Sequence, residues 1–135
     1  MDTTKKDFQG WCKKKISLND TDDKKTVYFR GKEIWWCALG VNIGFEQDGK
    51  NHNYERPVLI LKKINRYLAL AIPLSTKIKD HPYYIRYKQE GIDYSALILQ
   101  MRVISSKRLL RRVGRMNTEV FQGIVESTKQ FVEKK

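Results

Sequence analysis

The chain has little with which to hold a metal or to staple itself. It carries two cysteines, Cys12 and Cys37, and two histidines, His52 and His81, in 135 residues. A disulfide framework needs more cysteines, and a zinc site needs ligands in closely spaced pairs. The expectation is therefore buried free thiols in a reducing compartment, with no structural metal and no cofactor. No apolar run approaches the roughly 20 residues of a membrane-spanning helix. The opening MDTTKKDF lacks the apolar stretch and small-residue cleavage site of a secretory signal. A cytoplasmic protein with no membrane partner is expected. Acid is also scarce: 15 Asp and Glu stand against 27 Lys and Arg, a formal charge of +12. Such a balance suits a polyanionic partner, because neutralising phosphates releases counterions and steers encounter. Many small basic proteins are simply solvated, so charge alone does not identify nucleic acid. Its distribution is uneven: between Arg102 and Arg115 lie six basic residues and no acid, whereas the N-terminal segment mixes both signs.

What is present is a patterned chain of one-domain size, with 41% hydrophobic residues for a modest core. Near the N-terminus Phe8, Trp11, Cys12 and Ile16 recur at helical spacing, and Thr4 with Asp7 resembles a capping box. The polar stretch from Ser17 to Thr26 reads as a linker, so residues 1–30 are expected to form a helix and linker ahead of a globular unit at 31–135. That unit opens as short runs rich in β-branched and aromatic residues: Glu33 to Leu39, Pro57 to Leu61, Tyr67 to Ile72, Tyr83 to Tyr87 and Tyr94 to Ile104. Trp35 and Trp36 would point to opposite faces of the first, both expected in the core. A Gly/Asn-rich loop from Phe45 to Glu55 separates the first two runs and is long enough to be a binding loop. A mainly antiparallel sheet curling into a small barrel would remove exposed edges. After Ile104, SKRLLRRV reads as a short helix capped by Ser105 and ended by Gly114. A second helix begins near Asn117, with Val120, Phe121, Ile124, Val125, Phe131 and Val132 on one stripe.

Four strings, holding five motifs, carry more than pattern. EIWWCALGVNIGFEQ, ERPVLIL, AIPLSTKIK and LQMRVISSKRLLRRVG stand in the order of a Trp-bearing first strand, a G-x-E-Q loop, an Arg-Pro strand opening, a P-L-[ST] turn and a late Q-[IV]-R segment. Together they resemble the MazF/PemK toxin family over about Glu33 to Phe131. The resemblance implies an SH3-like barrel of the CcdB-like kind with N- and C-terminal helices, and a homodimer. It also implies a sequence-preferring endoribonuclease of single-stranded RNA, opposed by a cognate acidic antitoxin. Family members generally cut without metal by 2′-hydroxyl attack, leaving a cyclic phosphate and a 5′-hydroxyl. Gyrase-directed toxins of the CcdB type share the fold, and a noncatalytic RNA-binding module is a third reading, so the site residues decide.

Arg56 matches the family's catalytic arginine, and its planar fork of donors suits phosphate oxygens. Ser75 matches a hydroxyl residue usually filled by threonine, with Thr76 beside it; the competing reading is a turn residue bonding its own backbone. Glu46 and Gln47 fall in the G-x-E-Q loop, where a carboxylate could take a proton, meet a base or hold Arg56. Phe45 could stack a base or anchor the loop. Lys77 and Lys79 are expected phosphate contacts or solvated lysines. Gln100 matches the glutamine of the late family segment as a supporting or RNA-binding residue, and Arg102 and Arg108 match nearby positions where pairing within the protein and RNA contact weigh equally. Leu99 stands where some relatives place an aspartate, which removes a general base there. His52 and His81 titrate in a useful range when unperturbed, yet neither falls at a family position. Arginine, with a pKa above about 12, is a poor base, so Arg56 is expected to stabilise the transition state and the base is unassigned.

Overall fold

The computed structural model describes residues 5–134. Helix α1 (Phe8–Asn19) is followed by one 3-10 turn at Asp23–Lys25, and then seven strands follow: β1 (Glu33–Ala38), β2 (Glu55–Lys63), β3 (Leu68–Ser75), β4 (Tyr84–Gln89), β5 (Ile92–Leu97), β6 (Arg102–Ser105) and β7 (Leu109–Arg115). Helix α2 (Thr118–Glu133) closes the chain. All pairings are antiparallel, in the order β4-β5-β3-β2-β1-β7 with β6 against β3. The mainly β class with two terminal helices agrees with expectation. The sheet is curled but not closed: β4 and β7 end the order unpaired with each other.

The central strands are buried on both sides, which is why PVLIL and ALAI read as continuous apolar runs. On one face Trp35, Cys37, Val58, Ile60, Ala71, Ile104 and Leu109 pack together with Phe29. On the other, Ile34, Leu59, Ile72, Leu74 and Ala96 meet Phe121 and Ile124 of α2. α2 starts where Asn117 accepts from the Glu119 and Val120 amides, and its stripe docks as expected, apart from Val132, which is exposed.

Three expectations change. SKRLLRRV is not a helix: Ser105 caps only a single 3-10 turn, and Leu109–Arg115 is β7, laddered to β1 from Glu33↔Arg115 to Cys37↔Leu109. Leu and Arg favour helix by small increments, and the ladder plus two ion pairs to β1–β2 acids, Arg111 to Glu55 and Arg112 to Glu33, outweighs them. The expected run Tyr94 to Ile104 is broken by a 3-10 turn at Ile98–Gln100. That break lets β5 pair with the Leu74–Ser75 end of β3 and β6 with its Leu68–Ala71 end. At the N-terminus Asp7 caps α1 by accepting from the Gly10 amide, while Thr4 lies outside the described residues. Of the expected stripe only Trp11 is buried; Phe8, Cys12 and Ile16 face solvent. The helix docks through one ring, and Cys12 is not a buried thiol.

Cys37 is buried, and burial pushes its thiol up to about 12 against the pull of Arg108 and Arg102, so it is an inert core group. No helix among the described residues is long and apolar enough to cross a membrane.

Candidate functional site

Arg56 sits in the second residue of β2 and is only 8% exposed. Its neighbour Pro57 and the facing Pro73 shape this corner. Pro73 has no N–H to donate and the β2–β3 ladder ends at Val58↔Pro73. Beyond it the Leu74 carbonyl accepts from Arg56 Nη1 at 3.3 Å, and the Asp48 carbonyl accepts from Nε at 2.8 Å. With its amide oxygen turned toward the guanidinium, the orientation the donors and acceptors favour, Gln47 accepts from Nε at 3.1 Å and Nη2 at 2.9 Å. Burial lowers the Arg56 pKa, and Asp48 and Tyr84 oppose that shift. The fork is thus held on three sides by oxygen atoms of the fold.

Continuing the register places Ser75 level with Arg56 on the adjoining strand. The Ser75 hydroxyl accepts from the Lys77 amide at 3.0 Å, the turn role that competed with the functional one. Accepting leaves its own O–H free to donate. Arg56 and Ser75 line one cleft of about 550 Å³, with Thr76, Lys50 and Asn51 at its rim and Trp36, Tyr87 and Tyr94 along its walls. Trp36 is therefore a cleft residue, half-buried with the Arg111 guanidinium 4.9 Å over its ring, and only Trp35 is core. Glu55, buried beside Arg56, gives one oxygen to each Arg111 Nη, at 3.1 and 2.8 Å. That bidentate bond is the main reason its carboxyl is held below the usual range. Tyr87 is buried, which raises its pKa and keeps its hydroxyl protonated.

The other expected residues lie elsewhere. Gln47, Glu46, Gln100 and Arg102 line a smaller groove of about 340 Å³ with Asn42 and Leu99. There Glu46 accepts from the Ile43 amide at 2.9 Å. Gln100 accepts from the Gln47 amide at 3.2 Å and donates to the Phe45 carbonyl at 3.1 Å. Glu46 does not hold Arg56, and Gln100 is a clamp on the loop. Phe45 is fully exposed at the loop tip, so it anchors nothing. Lys77 and Lys79 are exposed; the Lys79 ammonium lies 5.3 Å over the Tyr84 ring. Arg108 donates to the Ala38 and Leu39 carbonyls at 3.1 and 3.2 Å, a bond within the fold. Neither His52 nor His81 lines either hollow.

Sequence reasoning missed Asp48, which receives Arg56 through its main chain, and the pair Glu55 and Arg111. Asp48 acts by its carbonyl, which no side-chain pattern marks. Glu55 precedes Arg56 and was readable, but Arg111 reaches it only because β7 is a strand. Among the described residues no group of three or more His, Cys, Asp or Glu converges as a metal site would.

The model of the PemK-like, MazF-like toxins of type II toxin-antitoxin systems matches residues 30–132. Solved structures of similar fold include a MazF from Deinococcus radiodurans, 17% identical with a TM-score of 0.66, over 78% of this chain and 97% of that one. A mycobacterial endoribonuclease in complex with its cognate antitoxin is 12% identical with a TM-score of 0.59, over 80% of this chain and 98% of that one. The toxin MazF-mt6 of Mycobacterium tuberculosis is 14% identical with a TM-score of 0.57, over 75% and 96%. At such identities the likeness shows the fold. Comparison with curated protein sequences gave no match.

Proposed function

Because the chain belongs to the PemK-like, MazF-like family of type II toxins, we propose that it is an endoribonuclease that cuts single-stranded RNA at a short preferred sequence without a metal ion. The observation that carries this reading is Arg56, pinned in an open cleft level with the Ser75 hydroxyl. A guanidinium has five N–H donors; with one each on Asp48, Leu74 and Gln47, the remaining Nη hydrogens are available to a phosphate. Donors fixed before the reaction cost no reorganisation when charge develops on the phosphate oxygens. In the step, the 2′-oxygen attacks the adjacent phosphorus and loses its proton, while the bond to the 5′-oxygen breaks and that oxygen gains one. The products are a cyclic phosphate and a 5′-hydroxyl. Arg56 stabilises the pentavalent phosphate, and Ser75 donates to a phosphate oxygen or orients the 2′-hydroxyl. Glu55, bonded on both oxygens by Arg111 and held ionised, is a weak base for the first proton. Phe45 offers an exposed ring for a base, and Thr76, Lys77 and Lys79 line the approach of the backbone.

The net charge of +12 also fits an acidic, initially disordered antitoxin segment that folds over the cleft. The mycobacterial endoribonuclease of similar fold, solved in complex with its cognate antitoxin, supports such a partner. A two-fold homodimer is part of the same proposal; sedimentation at micromolar concentration should show it, and a monomer alone would refute it. The deciding experiment is a digest of long single-stranded RNA in EDTA, with mass spectrometry of the ends. Cyclic-phosphate ends at a recurring short sequence, absent with Arg56→Ala, are expected. RNA binding without cleavage would favour the noncatalytic module, and supercoiling inhibition without cleavage a gyrase-directed toxin.

A further inference from the structure

The family match begins at residue 30, so α1 and the residues around it lie outside the matched region. This arm is poorly built as a stabilising helix, since Trp11 is its one buried residue. At its C-terminal end Lys107 donates to the Asn19 carbonyl at 2.8 Å and Arg108 lies 5.6 Å over the Trp11 ring, but its first residues, with Trp11, converge on the loop of residues 39–54 between β1 and β2. Lys6 Nζ donates to the Asn42 carbonyl at 2.6 Å and the Gly44 carbonyl at 2.9 Å, and pairs with the Asp48 carboxylate at 3.2 Å. Asp7 accepts from the Tyr54 hydroxyl at 2.7 Å. The Trp11 ring lies 5.6 Å from that of Tyr54 and directly over Gly40, where a Cβ would come within 2.3 Å of it. Gly40 has φ +91°, so both its conformation and this approach call for glycine. Its amide donates to the Tyr54 carbonyl at 3.0 Å, tying the loop's two ends together.

Asp48 is where the arm and the site meet. One carboxylate oxygen accepts from the Asn42 amide at 2.7 Å and the other pairs with Lys6 at 3.2 Å, while its main-chain carbonyl receives Arg56 Nε at 2.8 Å. We infer that the N-terminal arm is a strap for the phosphate-binding arginine: Lys6, Asp7 and Trp11 are positioning residues that hold the 39–54 loop and, through Asp48 and Gln47, fix the guanidinium of Arg56. The catalytic half of this inference rests on the reading of Arg56 as the phosphate donor; the mechanical half does not.

The test uses the full chain and compares Lys6→Ala with Lys6→Arg, and with Lys15→Ala as control. Lys15 is exposed on α1, so its removal deletes the same charge without touching the loop. Hydrogen exchange of the Gly40 and Asn42 amides and of the Arg56 Nε–H should quicken about tenfold in Lys6→Ala, as expected for losing one or two charge-assisted bonds. In the same variant kcat should fall by a similar factor with KM little changed, Lys6→Arg should restore both readouts, and Lys15→Ala should move neither. Tyr54→Phe, which removes only the hydroxyl that Asp7 accepts, gives a milder version of the same change should Lys6→Ala fold poorly. Unchanged exchange in both variants would overturn the strap, as would an equal effect from Lys15→Ala. Faster exchange with unaltered kcat would overturn its catalytic role. If the wild-type chain cuts no RNA, the nuclease reading fails on that ground, and Arg56 Nε–H exchange alone decides whether the strap holds.

Discussion

The cleft around Arg56 and the groove behind the 39–54 loop share a wall, since Gln47 lines the groove and reaches the guanidinium in the cleft. They differ in what their polar atoms have left to give. In the groove, Glu46 and Gln100 bond loop amides and a loop carbonyl and so serve the backbone, with the Arg102 guanidinium as the exception on that wall. In the cleft, the Ser75 hydroxyl is only an acceptor and Arg56 bonds only oxygens of the fold, which leaves donors over. A phosphate needs donors. On the proposed function, the difference separates residues that would touch RNA from residues that hold those in place, although all of them sit in one set of motifs in the sequence.

Substitutions on the two sides should sort accordingly. Arg56→Ala should lower kcat by about a hundredfold to a thousandfold, as for loss of an oxyanion donor. It should also lower stability by about 1 to 3 kcal/mol, because the Asp48 and Leu74 carbonyls lose a buried partner. Near-normal cleavage in EDTA would break the assignment. Ser75→Ala comes next, at about tenfold in kcat for one neutral hydrogen bond, with Ser75→Thr near wild type; equal loss in both would point to the turn and not to the hydroxyl. Gln100→Ala removes two loop bonds, each worth about 1 kcal/mol, and should raise exchange at the Gln47 amide with a smaller loss of rate. Glu46→Ala should cost about 0.5 kcal/mol or less in melting experiments, since its bond is exposed. A collapse of kcat would instead make Glu46 the proton acceptor.

The smallest effect concerns pH. Glu55 and Glu33 are both held below the usual carboxylate range, Glu55 chiefly by the Arg111 bond. For Glu33, burial acts first and upward, but the Arg30 amide, Trp35 and Arg112 outweigh it. A carboxyl depressed in the folded state stabilises above its unfolded pKa, and that contribution fades as pH falls through the folded one. Melting temperature should therefore stay level between about pH 8 and 5 and fall below about pH 4. Glu55→Gln should lower it at neutral pH and converge on wild type in acid; a gap that persists in acid would mean packing, not charge.

Much of the fold is legible in the residues. The apolar runs mark β1 to β5, and the stripe around Phe121 and Ile124 marks α2, because burial selects apolar atoms at a fixed period. Arg56 and Ser75 are legible through the Arg-Pro and P-L-S strings. Strand β7 was not, because Leu and Arg slightly favour helix and the ladder to β1 that overrides them lies far away in the chain. The stripe at Phe8, Trp11 and Ile16 misled for the opposite reason: helical spacing predicts a helix, but not that a surface exists to cover all of it.

The sequence by itself determined the positive charge, the short apolar runs that make a sheet, and the motif order that placed the chain in its family, since each depends only on residue type and local spacing. Only the tertiary structure decided that Arg56 is held by the Asp48 and Leu74 carbonyls, that Glu46 and Gln100 serve the loop, and that Lys6 reaches Asp48. Those outcomes depend on which backbone oxygens and amides are left without a partner after the strands pair. That is settled by how the loop is laid against the sheet, and residue type and spacing alone do not encode it.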